Sequence, residues 1–162
     1  GGGDNVARAA LSALVGKWRF EREIVDRLTS SVQTVRGEIV YNKRGPALED
    51  LRYREDGLFE LPNGATFEVF REYDYAVKDD ALEIYFVENG ERAHLFLSLK
   101  FTERENGNCW LATSDHLCVK DLYEGTFRIA FDGMGAREVS MTYRVKGPKK
   151  DYESITRLSP IL

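Results

Sequence analysis

The stretch GKWRFEREI, residues 16–24, decides the class of fold, because its side chains change character at every second position. Trp18, Phe20 and Ile24 share one face with Arg22, and the other charged residues fall on the opposite face. A period of two is typical of a β-strand with one buried face. Since the buried face also carries Arg22, the stretch predicts a charged group inside the fold.

The residues before this stretch predict a short helix at the start of a single domain. Asp4 is a good N-cap, and Gly16 ends a helical pattern of apolar residues. These apolar residues are Val6, Ala10, Ala13 and Leu14. Three glycines without an initiator Met indicate an added or processed end, so we expect residues 1–3 to be a remnant or disordered and residues 4–162 to form one domain.

Strand-like segments repeat along the rest of the chain, with turn signals between them. They lie at residues 32–42, 48–55, 57–61, 65–78, 81–88, 92–102, 108–119, 123–131, 137–146 and 151–158. Asp56-Gly57 is the turn signal that divides the second segment from the third. Short strands joined by tight turns must close on themselves to hide their edges. We therefore predict an all-β, antiparallel up-and-down barrel of about 8–10 strands with a short N-terminal α-helix.

The composition excludes some classes of binding partner and indicates in which cellular compartment the protein resides. The net charge is −4 and both signs are mixed along the chain, which argues against a nucleic-acid partner. No apolar run is long enough to span a bilayer and no signal sequence opens the chain, so we expect no membrane partner. Cys109 and Cys118 lack the spacing of a zinc site or a disulfide framework, so we predict two free thiols. The expected location is intracellular and cytoplasmic.

Several motifs carry a resemblance to a known family. Gly16-Lys17-Trp18 resembles the opening motif of lipocalins and their calycin relatives, in which the Trp closes one end of the barrel. A closer resemblance, to a family of lipocalin-like domains known as domain of unknown function 6314, rests on these motifs: LVGKWRFEREIVDRL (14–28), Tyr53-x-Glu55-x-Gly57, Arg71-x-Tyr73, His94-x-Phe96, His116-Leu117-Cys118-x-x-Asp121-x-Tyr123-Glu124-Gly125 and TYRVKGPKKDY (142–152). The resemblance implies a calycin-like barrel with structural roles for Gly16 and Trp18, and by analogy Arg157 is expected to stack on Trp18. It implies no particular activity.

Alternation along the strands places further charges in the interior of the barrel. Arg22, Tyr53, Glu55, Arg71 and Tyr73 all fall on predicted inward faces. Because an unpaired buried charge costs several kcal/mol, both arginines need partners. One arrangement closes them on Glu55 and Asp121 as a buried network, and another leaves one guanidinium for the carboxylate or phosphate of a ligand. In a third, the register differs and these charges face solvent.

The stretch HLCVKDLYEGTF, residues 116–127, would form one wall of the same interior. His116 and Asp121 are a candidate acid–base pair, with the carboxylate fixing the tautomer of the imidazole. Cys118 lies two residues from His116, too far along a strand for a nucleophilic pair, so we interpret it as structural. His94 is the other histidine. Since no metal-binding spacing occurs, we predict neither a metal nor haem.

Together these patterns predict a protein that binds a small acidic or polar-aromatic molecule inside a polar barrel. The predicted ligand-binding residues are Arg22, Tyr53, Glu55, Arg71, Tyr73, His94, His116, Asp121 and Tyr123. Two alternatives stay open. One is an enzyme that acts on such a ligand through His116 and Asp121. The other is a protein-interaction module with a protein partner or a second copy of the chain.

Overall fold

The computed structural model describes residues 2–46, 50–105, 108–118, 120–132 and 135–161, with the backbone alone for residues 2–5, 103 and 115–118. Within these ranges, one helix precedes ten strands. The elements are α1 (Gly2–Leu14), β1 (Gly16–Asp26), β2 (Ser31–Lys43), β3 (Asp50–Glu60), β4 (Thr66–Lys78), β5 (Ala81–Glu88), β6 (Glu91–Arg104), β7 (Cys109–Cys118), β8 (Asp121–Asp132), β9 (Gly135–Gly147) and β10 (Lys150–Pro160).

Each strand pairs antiparallel with its neighbour in the chain, and β1 pairs with β10 to close the barrel. The up-and-down order removes most free strand edges, which a meander of this length needs for stability. The predicted all-β barrel with an N-terminal helix is therefore confirmed.

Helix α1 closes one end of the barrel. Its inward face is small and apolar, with Ala7, Ala10 and Leu14 fully buried. The Trp18 indole is 3% exposed and donates from Nε1 to the carbonyl oxygen of Leu14 at 2.9 Å, which ties the end of the helix to the first strand. The helix begins at Gly2, before Asp4, so the predicted N-cap position was wrong.

The predicted turn at Asp56-Gly57 was also wrong, because β3 runs without a break from Asp50 to Glu60. Gly57 pairs directly with Gly37 of β2. A Cβ atom on Gly57 would lie 3.0 Å from the ring of Phe20, and one on Gly37 would overlap the carbonyl oxygen of Asp56. The two glycines therefore allow a close approach of strands under an inward aromatic ring, rather than a change of direction.

Candidate ligand-binding site

A cavity of about 420 Å³ lies at the end of the barrel opposite α1. Six aromatic side chains form much of its wall, namely Tyr73, Phe86, Phe96, Tyr123, Tyr143 and Tyr152. The ring of Phe96 stacks at 6.0 Å on Tyr73 and at 5.9 Å on Tyr143, with interplanar angles of 18° and 24°. The wall is completed by Ile24, Asp26, Gln33, Arg71, Val145 and Ser154. The cavity thus presents several near-parallel ring faces and few charges.

Arg22 and Glu55 form a closed ion pair inside the barrel. Glu55 is fully buried and Arg22 is 6% exposed. The guanidinium donates to both carboxylate oxygens, from Nη1 to Oε2 at 2.8 Å and from Nη2 to Oε1 at 2.7 Å, and its Nε donates to Thr156 Oγ1 at 2.7 Å. The Tyr53 hydroxyl also donates to Glu55 Oε1, at 2.5 Å. This pair satisfies itself and leaves no charge for a ligand.

The environment of Glu55 keeps its carboxylate ionised. Burial by itself raises the pKa of the Glu55 carboxyl, but the hydrogen bonds and charges of Arg22, with Tyr53 and Arg71, outweigh burial. The pKa therefore lies below its ordinary value.

Arg71 differs from Arg22, because its guanidinium lines the cavity and remains accessible. Its Nε lies 3.8 Å from Glu55 Oε2, and the side chain is 47% exposed. Both oxygens of Glu55 already accept short hydrogen bonds from Arg22. One carboxylate thus faces two guanidinium groups, so these three side chains carry a net positive charge at the wall of the cavity.

Two cavity phenols add hydrogen-bond donors. Among the described residues, neither the Tyr73 nor the Tyr143 hydroxyl forms a hydrogen bond. Burial raises the pKa of the Tyr143 phenol well above its ordinary value, so the hydroxyl stays protonated. Both phenols therefore present an O–H group that a ligand oxygen could accept from.

Asp121 and Tyr123 belong to a different cluster at the rim. Lys150 Nζ lies 3.1 Å from Asp121 Oδ2 and donates to the Tyr123 hydroxyl at 3.2 Å. These two hydrogen bonds raise the pKa of Lys150. The Asp121 carboxylate occupies the space that a Cβ atom on Gly147 would fill. Asp121 therefore pairs with Lys150 rather than with either arginine.

The predicted histidines do not appear in the described lining of the cavity. His94 is exposed and packs on the ring of Phe86, with centroids 4.7 Å apart, so it lies outside the described lining of the cavity. The side chains of His116 and Cys118 lie outside the described residues, although the backbone of His116 pairs with that of Tyr123 in β8. The candidate acid–base pair stays a prediction.

The predicted stacking of Arg157 on Trp18 was wrong. Arg157 is exposed and pairs across the ladder with Glu21, on the outer face of β1. Trp18 lies on the inner face and is 3% exposed. Because directly paired residues share a face, Arg157 and Trp18 lie on opposite sides of the barrel wall.

Of the aromatic lining residues, four were missed, namely Phe86, Phe96, Tyr143 and Tyr152. Alternation along β9 places Tyr143 on the same face as the buried residues Met141 and Val145. This pattern could have predicted that Tyr143 points into the barrel. For Phe86 in β5 and Phe96 in β6, alternation is a weaker guide to the inward face, because the register between the two strands shifts near Tyr85.

The described residues contain no group of three or more His, Cys, Asp or Glu side chains placed to hold a metal ion. Cys109 is a buried free thiol whose Sγ donates to Glu105 Oε2 at 3.3 Å. Burial raises the pKa of this thiol, so the reactive thiolate is disfavoured. Nor is any described helix both long and apolar enough to cross a membrane.

A closed antiparallel barrel with a helix over one end and a side-chain-lined cavity at the other is a lipocalin-like fold. The chain belongs to the family of unknown function DUF6314, whose pattern matches residues 14–160. No curated protein matches the sequence.

Solved structures that share the fold include the following two. The S-type phycobiliprotein lyase CPES from Guillardia theta superimposes with a TM-score of 0.62 at 10% identity, over 98% of this chain and 97% of that chain. Rv2717c from M. tuberculosis gives a TM-score of 0.60 at 15% identity, over 96% of this chain and 98% of that one. At such identities the likeness concerns the fold alone.

Proposed function

We propose that the chain binds a flat aromatic or conjugated small molecule bearing an acidic group, in the cavity at the end of the barrel opposite α1. The observation that carries the proposal is an accessible guanidinium, that of Arg71, in the wall of an aromatic cavity. The fold is consistent with this function, because a barrel of the same fold is named a phycobiliprotein lyase.

The size and wall of the cavity favour a flat ligand. Its volume of about 420 Å³ lies within the range of about 300–1,000 Å³ that is usual for small-molecule sites. Tyr73, Phe96 and Tyr143 present near-parallel rings, and aromatic rings prefer offset stacking on other flat groups. A flat conjugated ligand would therefore contact more of this wall than an aliphatic one of equal volume.

The charges favour an acidic group on that ligand. Glu55 is already satisfied by Arg22 and Tyr53, so the loosely held guanidinium of Arg71 has unused donors. A guanidinium binds a carboxylate or phosphate through two parallel hydrogen bonds. The Tyr73 and Tyr143 hydroxyls could donate to further oxygens of the ligand.

The test compares two probes of equal shape, naphthoate and uncharged naphthylmethanol, in fluorescence titrations. Wild-type protein is expected to prefer naphthoate. Arg71→Met should weaken naphthoate binding about tenfold and leave naphthylmethanol binding unchanged, since only the charge-assisted hydrogen bonds are lost. Arg36→Met, on the exposed outer face of β2, is the matched control and should change neither affinity.

Equal affinity of wild-type protein for both probes would refute the acidic part of the proposal. If Arg36→Met and Arg71→Met weakened naphthoate binding equally, the probe would bind outside the cavity. Absence of binding by either probe would refute the aromatic part.

A further inference from the structure

Part of β4 has a partner strand on one side only. β4 pairs with β3 from Thr66 to Ala76, but with β5 only from Tyr73 to Lys78. Among the described residues, no strand pairs with residues 66–72 on the β5 side, so this segment forms an open strand edge. Such an edge presents a row of backbone donors and acceptors to solvent.

The edge is open because the β5–β6 hairpin turns away from it. The pairing of β5 with β6 is irregular around Tyr85, which allows the hairpin to bend. Arg52, on the outer face of β3, donates from Nη2 to the carbonyl oxygen of Gly90 at 3.2 Å. Arg92 reaches Asp50 at 2.9 Å and Asp74 at 3.2 Å. These contacts hold the tip of the hairpin against the outside of the barrel.

The backbone groups at the edge can be assigned from the neighbouring turn. Leu61 N donates to the carbonyl oxygen of Ala65 at 2.9 Å, which makes these two residues a hydrogen-bonded pair. Hydrogen-bonded and non-hydrogen-bonded pairs alternate along an antiparallel ladder, and no shift interrupts this one. The odd-numbered residues of β4 therefore bond to β3. The N–H and C=O groups of Glu68 and Phe70 point to the open edge.

The side chains along the edge are exposed and differ between the two faces. Phe67 is 54% exposed and shares the inner face with Val69. Phe70 is 63% exposed and shares the outer face with Glu68. No ion pair to Glu68 forms among the residues that the structure describes. The edge thus combines free backbone groups, exposed rings and an uncompensated carboxylate.

We propose that residues 66–72 bind an extended segment of a partner protein as an added β-strand, with basic side chains on its outer face and apolar ones on its inner face. Backbone hydrogen bonds would supply affinity, and the alternating side chains would supply specificity. A basic residue beside Glu68 gains a cross-strand ion pair, and an apolar residue beside Phe67 and Val69 covers exposed surface. The proposal does not rest on a ligand in the cavity, although Arg71 of the cavity wall belongs to the same segment.

Charge argues against a second copy of the chain as the occupant. Two β4 edges related by a two-fold axis at Val69 would pair Glu68 of each copy with Phe70 of the other. The two Glu68 carboxylates would then be diagonal neighbours on the same face, close enough for their like charges to repel each other. A basic strand meets no such repulsion.

The test uses a capped heptapeptide of alternating lysine and valine, added to the labelled protein and followed by NMR. We expect amide shifts concentrated in residues 66–72, and slower hydrogen exchange for the Glu68 and Phe70 amides in the complex. The same peptide with glutamate in place of lysine should bind more weakly. No shift at these residues would overturn the proposal, as would a dimer in which both amides are protected before peptide is added.

Substitutions at Glu68 and Phe70 test separately how much the Glu68 charge and the backbone hydrogen bonds of the edge contribute to binding. Glu68→Lys should weaken binding of the lysine peptide about fivefold and improve that of the glutamate peptide, whereas Glu23→Lys on the exposed face of β1 should change neither. Phe70→Pro removes an N–H at the open edge without removing a β3 hydrogen bond, and should abolish binding, whereas Phe70→Ser should retain part of it. Unchanged binding by folded Glu68→Lys would overturn the proposed partner chemistry.

Discussion

At the scale of single residues, the interior charges behave as two separate groups. Arg22 and Glu55 close on each other with short hydrogen bonds, while Arg71 stays 3.8 Å from the same carboxylate and lines the cavity. Alternation along the strands predicted that these side chains share the inner face. Their partners could not be predicted from the sequence, because Arg22 and Glu55 lie on β1 and β3, which are separated by β2, and no local pattern specifies a contact between them.

Substitution of one member of the buried Arg22–Glu55 pair is expected to destabilise the protein. Glu55→Gln should lower the free energy of unfolding by about 3–5 kcal/mol, because Arg22 then remains buried without a counter-charge. Urea denaturation at neutral pH measures this loss. The double variant Arg22→Met with Glu55→Gln should lose less than the sum of the two single variants. Strictly additive losses would show that the pair is not coupled.

The same pair predicts a pH dependence of stability. The pKa of Glu55 is lowered in the folded protein from its ordinary value of 4.5, so the stability it contributes is complete above about pH 4.5. That contribution is lost as the pH falls through the lower pKa of the folded state. The stability difference between wild-type protein and Glu55→Gln should therefore shrink in acid. Denaturation curves at a series of pH values test this, and a difference that stays constant would contradict it.

At the scale of elements, Gly57 is a position where the local sequence pattern predicted a turn and the structure has a continuous strand. Asp56-Gly57 is typical of a tight turn, yet here the strand continues because the glycine makes room for Phe20 and for the neighbouring strand. The competing cause is tertiary packing, which lies beyond a window of a few residues. Among the other described turns, Asp79-Asp80 and Asn89-Gly90 lie between the strand segments that the sequence predicted.

A methyl group at Gly57 tests this role. Gly57→Ala is expected to destabilise the protein by about 1–3 kcal/mol, since the new Cβ atom meets both the Phe20 ring and a backbone oxygen at 3.0 Å. Gly45→Ala is the matched control, because nothing lies within 4 Å of its Cβ position. Thermal unfolding of the two variants distinguishes them. Equal melting temperatures would mean that Gly57 is not a packing requirement.

At the scale of the whole molecule, strand-like segments with turn signals between them predicted an antiparallel barrel, and the apolar pattern that ends at Gly16 predicted the helix at its start. The cavity was harder to predict. Its aromatic wall draws on strands from β4 to β10, and Phe86 and Phe96 reach it where the register of β5 and β6 shifts. Local alternation predicts which face a residue occupies, but not which residues of distant strands gather at one end.

The central claim is that this cavity binds an aromatic acid, and NMR mapping of naphthoate on the wild-type protein tests it most directly. We expect the largest shifts in the side-chain signals of Tyr73, Phe96 and Tyr143, together with a shift of the Arg71 Nε–H signal. Arg71→Met should bind naphthoate more weakly at the same place. Shifts confined to residues outside the cavity, or no shifts at millimolar probe, would contradict the account.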